Sequence, residues 1–201
     1  RSYSLSRQQE KAQATRERLL DSTFECLVER GYEGTTTVAV CQHSGLARGT
    51  MLHHYPTKDA LVLASLEYIL VRRVRHFEEV LMQAGKIDLE TVMRTLWQTL
   101  KGPTFQAWLE LAVASRTHPD LELEFHSVMK RFDERVQSFV DRHLSHLKPV
   151  GMDMSMLVGI GFSALNGLAL DLLQMSETEA DAKFETLLGF ALQAQANMTP
   201  S

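Results

Sequence analysis

Only two cysteines occur in the 201 residues, Cys26 and Cys41, with no Cys-x-x-Cys pair. That excludes a disulfide-stapled scaffold and a thiolate-built zinc module, and it fits a reducing compartment. Both are expected to behave as small, half-buried hydrophobes. Long apolar runs are also scarce. The strongest, residues 154–173, is interrupted by Ser, Gly, Asn and Asp, so it reads as a packing helix rather than a membrane span. No basic segment followed by an apolar one opens the chain, and a cytoplasmic location is expected. No alternating polar and apolar stretch is long enough for a strand, and there is no internal repeat or low-complexity tract. Ser, His and Asp are present, but none lies in a nucleophile elbow or a Gly-rich phosphate loop. No enzymatic activity, catalytic residue or cofactor is therefore expected. His143 and His146 stand three residues apart with Asp141 nearby. Such pairs are common on helix surfaces, no third ligand is evident, and no metal site is expected.

What the chain does have is helical periodicity. Within residues 13–30, Leu20, Phe24, Leu27 and Val28 fall on one helix face. Ser6 and Gln9 suit a capping box that starts this helix earlier, and Gly31 can stop it in the left-handed conformation. Two short helical segments occupy 36–55. Thr57 caps a long helix from Lys58 to about Leu81, Gly85 breaks it, and another helix covers 88–101. Gly102-Pro103 and His118-Pro119 each open a further helix, with proline at the first helical position where its missing N–H costs nothing. The second of these runs to about residue 147. Pro149, Val150 and Gly151 separate it from a helix over 153–175. Ser176 and Glu179 form a capping box before a last helix over 180–196. The sum is an all-α chain of about nine helices, with its likeliest boundary around Pro56.

Charge is uneven along the chain. The net formal charge is −4, but residues 1–75 hold 11 Lys/Arg against 8 Asp/Glu, while residues 76–201 hold 10 against 17. A small, mildly basic head and a larger acidic body follow, which excludes a protein coated in nucleic acid over its whole surface.

The stretch TTVAVCQHSGLARGTMLHHY, residues 36–55, carries the chemistry. A helix-turn-helix needs a small residue where the second helix crosses the first, a glycine at the turn, and apolar residues on the inner face. Cys41 is the small residue, Gly45 the turn glycine, and Val40, Leu46 and Met51 the apolar contacts. Thr36 can cap the first helix. The second helix then presents Arg48, Gly49, Thr50, His53 and His54, hydrogen-bonding or small residues suited to a major groove. Gly49 would let a DNA backbone come close.

The run GLARGTMLHHYPTKDAL, with Gly31-Tyr32 and Thr35-Thr36 upstream, resembles the signature of the TetR family of bacterial transcription regulators. The resemblance covers roughly residues 14–66 and implies a tri-helical DNA-binding domain over 1–56, followed by a helical effector-binding and dimerisation domain over 57–201. By position, Thr36, Arg48, Gly49, Thr50, His53 and His54 resemble the DNA-contacting set, and Tyr55 and Lys58 the residues that reach phosphates. Tyr55 reads equally well as a core aromatic. Two places depart from the family pattern. Leu52 stands where tyrosine is usual, and Val38 with Ala39 stand where Arg and Asp are frequent. Fewer direct contacts are expected in consequence, with weight shifted to an N-terminal arm of Arg1, Arg7, Lys11, Arg16 and Arg18.

A single reading head contacts one half-site, so a dimer is expected. Ser155, Gly159, Ser163 and Gly167 recur every four residues and form a ridge that another helix can approach closely. Phe184, Leu187, Leu188, Ala191 and Leu192 give the last helix an apolar stripe, and the resemblance implies that these two helices pair between subunits. It also implies an inducer pocket, for which Trp97, Phe105, Trp108, Phe125, Met129 and Phe132 are the large apolar candidates and Asn166 a polar anchor. With no clustered charge on these faces, a largely apolar or neutral small-molecule inducer is expected. The reading is thus a ligand-released repressor. The alternatives are an activator or inducer-independent DNA binder, or a helical carrier or enzyme that has lost DNA binding.

Overall fold

A computed structural model describes residues 7–85, 87–147 and 153–198. Among them are nine α-helices and no strand: α1 Arg7–Gly34, α2 Thr37–Ser44, α3 Arg48–His54, α4 Lys58–Gln83, α5 Leu89–Leu100, α6 Pro103–Ser115, α7 Pro119–His143, α8 Met154–Asp171 and α9 Glu177–Met198, with a 3-10 turn at Ser145–Leu147. The chain is all-α, as its periodicity predicts. Ser6 and residues 149–151, assigned to a cap and a break from sequence, lie outside the described residues.

The boundaries follow the local chemistry. Thr36 caps α2 by accepting from the Ala39 N–H at 3.1 Å, and Thr57 does the same for Ala60 at the start of α4. Asp88 caps α5 through Thr91. At α9 the capping box closes both ways: the Ser176 N–H donates to Glu179, and the Glu179 N–H donates to the Ser176 hydroxyl. Each such cap stabilises by about 1 kcal/mol. Gly31 is left-handed, with φ 67, and kinks α1 near its end. The kink releases the Tyr32 N–H from the helical ladder, and the Glu110 carboxylate accepts it at 3.2 Å.

The chain forms two compact units, one of Arg1–Val71 with Gln106–Lys130 and the other of Arg72–Phe105 with Arg131–Ser201. The first is built on Leu19, Leu20, Cys26, Ala39, Val40, Met51, Tyr55 and Leu61. Within it Ser65 donates to the Leu20 carbonyl at 2.6 Å, tying α4 to α1. The second holds Leu81, Phe139, Val140 and Leu144, with Phe77, Val158 and others packed against them. It also joins α5 to α9: Trp97 stacks on Phe184 with ring centroids 5.3 Å apart and donates its indole N–H to Asp181 at 2.7 Å. Cys26 is buried, which pushes its thiol above the usual range, and Cys41 is half-buried.

On α8 the two faces differ sharply. Leu165 and Ala169 are buried and Val158 packs on the second core. The opposite face carries Met156, Gly159, Ile160, Ser163, Gly167 and Leu170, all exposed. The Ser155 side chain, the first member of the small-residue ridge, lies outside the described ones. Met156 and Ile160 are 68% and 61% accessible in the single chain. The α9 stripe behaves differently from the sequence expectation. Phe184 and Leu188 are buried within the chain's own core, and Leu187, Ala191 and Leu192 are half-buried. Among the described side chains, the large apolar residue that α9 leaves open is Phe190, at 68%.

Candidate nucleic-acid interface

The α2–α3 pair is assembled from inside outward. Val40 and Met51 are 1% and 0% exposed, and the Cys41 thiol meets the Met51 sulfur at 3.9 Å, where the two helices cross. Burying Met51 fully is worth about 1.5–3 kcal/mol. Gly45 ends α2 in the left-handed conformation, with φ 64. A Cβ there would sit 2.8 Å from the mobile end of the Arg18 side chain, which can give way, so it is the positive φ that demands glycine. Leu46 packs against the same core. Every steric requirement read from the sequence is met by the residue assigned to it.

With Met51 turned inward, α3 shows the solvent Arg48, Gly49, Leu52 and His53, while Thr50 and His54 are half-buried. Thr36 is exposed beside its capping role. Arg48 has no hydrogen bond or ion pair among the described residues. A Cβ at Gly49 would meet nothing within 4 Å, so the fold itself does not require glycine at that point. Val38 and Leu52, both departures from the family pattern, are exposed at 54% and 41%. They place apolar groups on this surface where charge or a phenol would otherwise stand.

Tyr55 and Lys58 are more tightly held than the rest. Tyr55 is buried, and its hydroxyl accepts a 2.9 Å hydrogen bond from Arg16 Nε. Its ring is part of the head's core, and Arg16 fixes the phenol from 39 residues away. Sequence reasoning misses that pairing because no local pattern encodes it. The Lys58 ammonium lies 3.7 Å from the centre of the Tyr32 ring. The Tyr32 hydroxyl donates to Asp59 at 2.7 Å, and burial together with that carboxylate pushes the phenol far above its usual range. His43 and Glu25 approach to 2.6 Å and brace α2 against α1.

The expected basic arm takes a different form. From Arg7 onward it is helical, with Arg7 and Lys11 exposed. Arg16 is engaged by Tyr55, and Arg18 closes over the α2–α3 turn. Arg1 lies outside the described residues.

The seven inducer-pocket candidates divide between the compact units: Trp97, Phe105, Phe132 and Asn166 belong to the second, Trp108, Phe125 and Met129 to the first. Trp97, Phe105 and Phe125 are buried, while Trp108, Met129, Phe132 and Asn166 are half-buried. Trp97 is committed to Phe184 and Asp181, which makes it a packing residue of α5 and α9. His143 is held by Glu78 at 2.7 Å and His146 by the Ile87 carbonyl at 2.7 Å. No helix among the described residues is long and apolar enough to cross a membrane.

Comparison with known proteins places this architecture. Residues 19–65 match the family model described as bacterial regulatory proteins, tetR family. The chain is 28% identical over 134 residues to the HTH-type transcriptional repressor AcnR of Corynebacterium glutamicum, a match that spans 65% of this chain and 66% of AcnR. Among solved structures it is similar to a transcriptional regulator from Rhodococcus sp. RHA1, with a TM-score of 0.71 at 18% identity over 89% of this chain and 96% of the other. It is also similar to the transcriptional regulator FadR from Bacillus subtilis, solved in complex with stearoyl-CoA, with a TM-score of 0.66 at 14% identity over 86% and 95%.

Proposed function

The chain belongs to the TetR family of bacterial regulatory proteins, and from that premise we propose that it is a dimeric repressor released from operator DNA by a small molecule. DNA-binding regulation is what the family does; release by an inducer and the paired state are the proposed refinements. The observation that carries the proposal is the outer face of α3. Arg48, without a partner among the described residues, an open Gly49 and an exposed His53 project from a helix locked in place by a fully buried Met51. Such a helix fits a major groove, where Arg48, Thr50, His53 and His54 can meet base edges and Thr36 and Lys58 can meet phosphates. Tyr55 serves from behind, through its bond to Arg16. We assign DNA reading to residues 1–56 and sensing with dimerisation to 57–201.

Pairing is supported by the outer face of α8 and by Phe190 on α9. Four large apolar side chains, Met156, Ile160, Leu173 and Phe190, are 68%, 61%, 63% and 68% exposed. Beside them a Cβ at Gly159, Gly167 or Gly189 would meet nothing within 4 Å. Exposed apolar groups flanked by needlessly small residues suit a helix from a second copy. Two heads then read half-sites about one DNA turn apart. The repressor sense is supported by AcnR, and a small-molecule ligand by FadR, whose structure holds stearoyl-CoA. The proposed inducer has a largely apolar or neutral body and shifts the spacing of the heads through the connecting helix α4. Its differential affinity for the released state must reach a few kcal/mol to move occupancy.

A band-shift titration against DNA flanking the coding sequence tests this. A sequence-selective complex at moderate salt is expected. Its absence, or equal affinity for unrelated duplexes, contradicts the reading.

A further inference from the structure

Arg73 stands where the pattern of α4 calls for an apolar residue. Leu66, Leu70, Phe77 and Leu81 follow one another along the inward stripe of the helix, and Arg73 falls three residues after Leu70 and four before Phe77, in the same line. Leu66, Leu70 and Leu81 are buried. Arg73 itself is half-buried, and its guanidinium reaches the α5–α6 turn, where Nη2 lies 3.9 Å from the position of a Cβ on Gly102.

Two other cations of this unit, Arg94 and Lys101, are paired. Arg94 is held by Glu90 and Glu185, and Lys101, one residue before Gly102, by Glu177 and Asp181. Arg73 has no hydrogen bond or ion pair among the described residues. Burial alone acts on it and pushes the guanidinium down to about 10, with no carboxylate to offset that effect. A guanidinium carries five donors, accepts nothing and stays charged at neutral pH. Drawing it out of water without a partner is unfavourable, and an apolar side chain would fill the same stripe more stably. The missing partner is therefore to be sought outside the chain.

We propose that Arg73 anchors the oxyanion head, carboxylate or phosphate, of a small-molecule ligand bound beside the α5–α6 turn. The planar fork of the guanidinium matches either group in bidentate fashion. The ligand is then an amphipathic anion rather than a wholly neutral molecule. This deepens the inducer reading and rests on it for biological sense, but its test needs no DNA.

Thermal melting of the full chain is followed with straight-chain fatty acids, alkyl phosphates, benzoate and phenyl phosphate, each beside the amide or alcohol of the same skeleton. The proposal expects at least one oxyanion to raise the melting temperature by about 5 °C or more near a hundred times its Kd, with little effect from its neutral counterpart. Arg73→Met should abolish the shift and Arg73→Lys should keep part of it. Without ligand, Arg73→Met should melt no lower than the parent. The proposal is overturned if no oxyanion outperforms its neutral counterpart, or if Arg73→Met retains the shift. It is equally overturned if Arg73→Met melts several degrees lower or fails to fold, which would mark a structural arginine. A ligand that binds through Arg73 yet leaves a DNA complex intact upholds the anchor and contradicts the inducer reading alone.

Discussion

Two surfaces of this chain lie open in the single molecule, and their chemistry is opposite. The outer face of α3 shows Arg48, Gly49 and His53 around Leu52, over a core in which Met51 is fully buried. The outer face of α8 and the exposed part of α9 show Met156, Ile160 and Phe190 around glycines whose Cβ positions are empty. The first surface sets exposed polar groups around Leu52 and is built within one chain. The second leaves large apolar groups solvated, which a folded protein rarely does without a partner to cover them. In the proposed function, reading is thus prepared locally, and pairing is the work that one chain leaves undone.

Substitutions that break one surface while sparing the other sharpen this contrast. The largest effect is expected from Met51→Asp, which puts a charge into the head's core without a partner. It should cost more than about 4 kcal/mol, visible in chemical unfolding as loss of the head. Ile160→Asp comes next. It should convert dimers to folded monomers in sedimentation or light scattering, weakening association at least about a hundredfold, with helix content unchanged. Arg48→Ala should leave melting unaltered and weaken operator binding by about 1–3 kcal/mol.

The smallest effect concerns the α5–α9 clamp, which lies in the second unit and touches neither surface. The Trp97 N–H bond, followed by Lys101, holds the Asp181 carboxyl below the usual carboxylate range. A carboxylate depressed in the folded state contributes stability above its unfolded value and loses it as pH falls through the folded one. Asp181→Asn should therefore cost about 1 kcal/mol or less near neutrality, since the carboxylate is partly exposed. The difference from the parent should fade in acid melts below the normal carboxylate range. A constant difference across that window would assign the clamp to packing of Trp97 on Phe184.

The head is largely legible in the sequence because its demands are local. Gly45, Cys41, Val40 and Met51 follow one another at fixed spacings, and a turn that needs a left-handed residue announces itself as glycine. The caps at Thr36, Asp88 and Ser176 are legible for the same reason. Pairings across long separations are not. Arg16 and Tyr55 are 39 residues apart and Trp97 and Asp181 are 84 apart, and no periodicity links them. The α9 stripe is plain in the sequence, but apolar periodicity marks a buried face without saying whether the chain or its copy buries it. Phe184 and Leu188 turn out to be covered by their own chain. Arg73 stands visibly in register with Leu66, Leu70, Phe77 and Leu81, yet one charge in an apolar stripe carries meaning only once its lack of a partner is known.

In the proposed function, two copies of this chain jointly read one duplex site. Native mass spectrometry of the full chain with a duplex selected from random sequence tests that most directly. Two chains per duplex are predicted, with the complex weakened in both Arg48→Ala and Ile160→Asp. One chain per duplex, or a selection that yields no preferred sequence, would contradict it.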